Sequence, residues 1–108
     1  NRTIVFNRIK QEEDGNQVYY LLKGGMNMVR QILEALYSLQ IQSVLIEGGA
    51  KLLQSFIDEG MWDEARIITN EQMIIGEGLP APVLQHYQLQ SSENIFSDNI
   101  RTFKNKNI

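Results

Sequence analysis

Glu47-Gly48-Gly49-Ala50-Lys51 is the stretch where residue types and spacing converge on a chemistry. The apolar run Val44-Leu45-Ile46 leads into a carboxylate, two glycines and the start of an amphipathic segment. Glycines permit positive φ and let a ligand approach the backbone. The helix predicted next offers free N–H groups and the positive end of its dipole. Turn and helix start together suit a phosphate or pyrophosphate. Glu47 can accept hydrogen bonds from ligand hydroxyls or amines. Lys51, in the first helical turn, opposes the dipole, which fits a nearby anion as well as plain solvation. The bland alternatives stay open: two glycines also suit a tight packing turn, and Glu47 also suits a solvated or capping role. Neither G-x-G-x-x-G nor a P-loop is present.

Other chemistries are excluded or weakened by composition. The 108 residues contain no Cys and one His. That rules out disulfides and Cys-ligated zinc, and no Ser–His–Asp arrangement can be read from His86 and scattered serines. His86 reads as a surface or packing residue. Glu12-Glu13-Asp14 are consecutive carboxylates without converging partners and read as a solvated loop, so no metal site is expected. A net charge of −3 disfavours nucleic acid as a partner. No apolar run reaches the ~18 residues of a membrane span, and no signal-peptide pattern opens the chain. A cytoplasmic protein is expected. The absence of an initiating Met suggests a fragment or processed chain.

The elements needed to position the turn are those of an α/β domain. Thr3–Phe6 and Val18–Leu22 read as strands. Asn27 is the predicted N-cap of a helix whose apolar face is Val29, Ile32, Leu33, Leu36 and Leu39. Ser43–Ile46 reads as a strand buried on both faces, as in a parallel sheet. Ala50–Glu59 reads as a second amphipathic helix, stopped by Gly60. Ala65–Thr69 is predicted as a strand and Met73–Gly76 follows it. Val83–Leu89 alternates in polarity, as an edge strand would. Asp98-Asn99 is the predicted turn of a closing antiparallel hairpin, and Lys104–Ile108 is expected to fray. Trp62 is expected in the core or at an interface.

Ile46-Glu47-Gly48-Gly49, the helix through Phe56, Gly60-Met61-Trp62-Asp63-Glu64, the strand to Thr69 and Ile74-Ile75-Gly76 resemble the C-terminal reductase domain of the bifunctional riboflavin biosynthesis deaminase/reductase. The resemblance implies a dihydrofolate-reductase-like fold: a mixed, largely parallel sheet with flanking helices and a closing antiparallel hairpin. It implies that residues 1–108 are one domain or fragment, the C-terminal, cofactor-side half of the reductase domain. It implies NADPH-dependent reduction of 5-amino-6-(5-phosphoribosylamino)uracil, a pyrimidine ribosyl phosphate, to its ribitylamino form. Gly48, Gly49, Ala50 and Lys51 would lie near the cofactor phosphates, Asn7 and Arg8 at its adenosine end, Gly76 near the nicotinamide, and Glu47 on the substrate side. No catalytic residue is assigned.

Family members commonly dimerise, so a homodimer is expected. This sequence departs from the family pattern at Ala50-Lys51, where a small hydroxyl residue is usual, and lacks a proline usual near Gln72-Met73. It also lacks the Ser-x-Asp-Gly-like substrate segment of the family's first half. Without Cys, the zinc-dependent deamination of the other family domain is excluded for this chain. The alternative is a noncatalytic module that dimerises or binds nucleotide without turnover.

Overall fold

Thr3-Ile4-Val5-Phe6 opens with β-branched and aromatic side chains that favour a pleated backbone, and in the computed structural model it forms β1 (Thr3–Asn7). The structure describes residues 3–70, 72, 76, 78 and 80–107. The chain divides into two compact units, Asn1–Leu45 and Ile46–Ile108.

In the first unit, β1 runs parallel to β3 (Gln17–Leu21), with Ile4 opposite Val18 and Phe6 opposite Tyr20. The stretch predicted as a solvated loop carries a short third strand, β2 (Glu12–Asp14), antiparallel to β3. Its turn is set by Gly15, at φ +59. All of β2 is exposed. Lys10 reaches Glu12 at 2.8 Å and lies 4.0 Å from the centroid of the Tyr19 ring. The hydrogen bond to Glu12 holds its ammonium above the ordinary lysine range.

Helix α1 (Met28–Ser38) begins as expected, with the Arg30 N–H donating to Asn27 Oδ1 at 3.0 Å. It ends in a Schellman arrangement. The Ile41 N–H donates to the Leu36 carbonyl and the Gln40 N–H to that of Tyr37, with Gln40 left-handed at φ 63. Gln31 on this helix grips the chain after β3: its Oε1 accepts from the Lys23 N–H at 2.7 Å and its Nε2 donates to the Lys23 carbonyl at 3.0 Å. Val18, Leu22, Val29 and Ala35 are the buried apolar residues of this unit.

In the second unit, α2 (Ala50–Asp58) also closes with a Schellman arrangement, here with Gly60 at φ +67. After it come β4 (Glu64–Asn70), β5 (Tyr87–Ile95) and β6 (Asp98–Asn105), ordered β4-β6-β5 and antiparallel throughout. Phe103 and Phe56 are its buried apolar residues among the described ones, and Tyr87 packs edge-on to Phe103 with centroids 5.2 Å apart.

Several expectations are corrected. Among the described residues β1–β3 is the one parallel ladder, so the sheets are small and mainly antiparallel, not largely parallel. Ser43–Ile46 forms no ladder, and Val44 and Leu45 are 52% and 84% exposed. A continuous apolar run becomes a buried strand only when neighbours pair with both its edges, and none of the described residues does so here.

The β5–β6 turn is Phe96-Ser97, two residues before the predicted Asp98-Asn99, which instead pair with Ile95 and Asn94. Positions 83–86 lie before β5, which starts at Tyr87 and is an edge strand. Nor does the tail fray at Lys104: Lys104 and Asn105 complete β6, and Asn105 is buried. Asn105 Nδ2 donates to the carbonyls of Gly60 at 3.1 Å and Trp62 at 2.8 Å, and its Oδ1 accepts from the Asn107 N–H. Trp62 itself is half-buried. The Met73–Gly76 segment lies outside the described residues except for Gly76.

Candidate functional site

The Glu47-Gly48-Gly49 turn divides its backbone work unequally. Gly48 has φ +119, where a Cβ is strained, whereas Gly49 has φ −63 and ψ 145, ordinary extended backbone for an N-cap. Gly49 contributes no side-chain cap, and its carbonyl accepts from the Leu53 N–H at 3.2 Å. The first amides of α2, those of Ala50, Lys51 and Leu52, precede that first intrahelical bond and have no acceptor among the described residues. No acidic side chain stands in the first turn to occupy the dipole. A Cβ built at Gly48 or at Gly49 meets nothing within 4 Å. Glycine at 48 is therefore explained by backbone conformation, while at 49 neither conformation nor packing against the described residues demands it.

Glu47 and Lys51 are exposed beside this turn, and Ala50 is half-buried. The turn thus brings Glu47, Gly48, Gly49, Ala50 and Lys51 together: a carboxylate before the glycines, a cation and free amides after them. Farther along α2, Gln54 Oε1 accepts from the Val83 N–H at 2.8 Å, and its Nε2 donates to the Val83 carbonyl at 3.1 Å. This clasp fixes the segment before β5 to the helix. Sequence reading gave no sign of it, because one amide on a helix face carries no periodic signal.

Asn7 and Arg8 stand in the first unit, where β1 ends. Arg8 is exposed and has no hydrogen-bond or ion-pair partner among the described residues. The Asn7 carboxamide is taken up by backbone groups. Gly76 is exposed, and the residues on either side of it lie outside the described ones. A shallow, open depression lined by Gln11, Glu12, Glu13, Val18, Tyr20 and Leu39 involves none of the expected site residues. Among the described residues no group of three His, Cys, Asp or Glu side chains is placed to hold a metal, and no helix is long and apolar enough to cross a membrane.

The two helices and the small sheets define an α/β fold, with the Gly48-Gly49 turn at the entry to α2. The chain belongs to the RibD C-terminal domain family, whose model matches residues 2–108. A riboflavin biosynthesis protein RibD from Aquifex aeolicus (strain VF5) is 39% identical over 70 residues, covering 65% of this chain and 18% of that protein. The fold is similar to that of a solved deaminase/reductase from Thermotoga maritima, described as a diaminohydroxyphosphoribosylaminopyrimidine deaminase/5-amino-6-(5-phosphoribosylamino)uracil reductase. The TM-score is 0.78 at 26% identity, over 96% of this chain and 31% of that one. This chain therefore spans less than a third of either relative's length.

Proposed function

We propose that this chain is the cofactor-side part of an NADPH-dependent riboflavin-pathway reductase that converts 5-amino-6-(5-phosphoribosylamino)uracil to its ribitylamino product. The observation that carries the reading is the family match over residues 2–108. The open turn at Gly48-Gly49, with three free amides behind it, supports it. NADPH supplies hydride when bound. The chain's own residues bind and orient. Gly49 admits the cofactor phosphates against the backbone, the amides of Ala50 and Lys51 donate to them, and the Lys51 ammonium adds attraction. Gly76 lies near the nicotinamide and Arg8 near the adenosine end. Glu47 accepts hydrogen bonds from the substrate ribose or its reacting amine and orients it for transfer.

The protein acts as a cytoplasmic homodimer. Exposed Tyr87 and Leu89 on edge strand β5 support self-association, since edge strands tend to be covered or paired. The test is paired cofactor titration of the full-length protein. Stabilisation by NADPH and not by NADH supports the reductase reading. Binding of neither favours a noncatalytic dimerising module.

A further inference from the structure

The end of β1 contains a side chain whose hydrogen-bonding capacity is spent entirely on the backbone around one exposed cation. Asn7 Oδ1 accepts from the N–H groups of Ile9 at 2.9 Å and Lys10 at 2.8 Å. Its Nδ2 lies 3.1 Å from the Lys10 carbonyl, 3.2 Å from that of Val5 and 3.3 Å from that of Tyr20 on β3. The Asn7 backbone carbonyl meanwhile accepts from the Leu22 N–H at 2.6 Å. One carboxamide thus closes the turn from residue 7 to residue 10 and ties it to both parallel strands. An amide oxygen has two lone pairs and an amide nitrogen two hydrogens, and all are engaged.

Arg8 sits inside this closed turn, exposed and unpartnered among the described residues. The turn lies at the carboxyl end of the parallel strand β1, the end at which open α/β sheets receive ligands. An arginine there is a bidentate donor for a phosphate, and its worth depends on how little freedom the backbone beneath it retains. Side chains Ile9 and Lys10 do not compete for the role. Ile9 is apolar, and Lys10 is committed to Glu12 and the Tyr19 ring.

We propose that Asn7 is a positioning residue: its carboxamide holds the turn from residue 7 to residue 10 and so presents Arg8 to a phosphate of the dinucleotide, without touching the ligand itself. The proposal rests on the NADPH reading above.

The test is a double-mutant cycle on the full-length protein, with NADPH affinity as the readout. Arg8→Gln removes a charge-assisted pair and is expected to weaken NADPH about tenfold. Asn7→Ala is expected to weaken it about three- to tenfold by freeing the turn. In the Arg8→Gln background Asn7→Ala should have no further effect, because its action passes through Arg8. Additive losses would show that Asn7 contacts the ligand or acts elsewhere, and an unaltered affinity in Asn7→Ala would also overturn the proposal.

Amide hydrogen exchange on the unmodified protein provides a check that needs no folded variant. The Ile9 and Lys10 amides should be protected before ligand is added, and rapid exchange at both would overturn the proposal. Failure of the unmodified protein to bind NADPH would overturn the cofactor reading and this proposal together. Binding accompanied by additive losses would overturn this proposal alone.

Discussion

Replacing Gly48 and Gly49 singly by Ala separates what the turn needs for folding from what a ligand needs. Gly48 stands at φ +119 and a Cβ there would meet nothing within 4 Å, so its cost is backbone strain alone. Such strain amounts to about 1–3 kcal/mol. At Gly49, φ is −63 and again nothing lies within 4 Å of the added methyl. Ala there reduces unfolded-state freedom, a gain of ~0.4–1 kcal/mol. It is also a poorer N-cap than Gly, a loss of roughly the same size. The two nearly cancel.

Gly48→Ala should therefore lower the denaturant midpoint clearly, and Gly49→Ala should leave it almost unchanged. Cofactor titration should then distinguish Gly49→Ala from the unmodified protein despite equal stability, because the methyl occupies the approach to the free amides of α2. A rise of at least about tenfold in the NADPH dissociation constant is expected, corresponding to ~1.4 kcal/mol. Equal stability with equal affinity would refute the placement of phosphates at Gly49. A large destabilisation by Gly49→Ala would mean that the turn is built for packing.

Three further outcomes are expected. Glu47→Gln should reduce kcat/KM for the pyrimidine substrate about 10- to 150-fold, from the loss of a charge-assisted hydrogen bond of ~1.5–3 kcal/mol, with NADPH affinity nearly unchanged; steady-state kinetics with a parallel titration checks this, and the opposite split would reverse the assignment. Asn105→Ala should cost about 1–3 kcal/mol in denaturant unfolding, because the carbonyls of Gly60 and Trp62 lose their buried donor; a neutral result would show that water replaces it at no cost. Gln40→Gly should raise stability by up to about 1 kcal/mol, since Gln40 holds at φ 63 the left-handed position that Gly60 fills after α2, and a loss of stability in the same melts would contradict that reading.

Both helices and three of the strands were legible because their signals are local. Asn27 as a cap, the apolar face of α1 and Gly60 as a stop each act within a few residues. The Glu47-Gly48-Gly49 turn was legible for the same reason, though the positive φ expected at Gly49 falls at Gly48 instead. Ser43–Ile46 failed because burial of an apolar run depends on partners distant in the chain, and Leu45 stands exposed.

The hairpin turn was misplaced because Asp98-Asn99 has better turn chemistry than Phe96-Ser97, yet the pairing of Ile95 with Asp98 fixes the register. Phe96 consequently takes φ 54 and is fully exposed, a local conflict overridden by the ladder on either side. Asn105 and Gln54 left no trace because single amides gripping distant backbone have no periodicity. Asn7 was picked out through the family resemblance, from its place at the end of the first strand, but its engaged carboxamide is visible only in three dimensions.

Oxidation of NADPH by the full-length protein, followed with and without 5-amino-6-(5-phosphoribosylamino)uracil, tests the central claim most directly. The account predicts oxidation that depends on this substrate, fails with NADH at the same concentration, and yields the ribitylamino product. A folded protein that binds the substrate yet leaves NADPH unoxidised would contradict it.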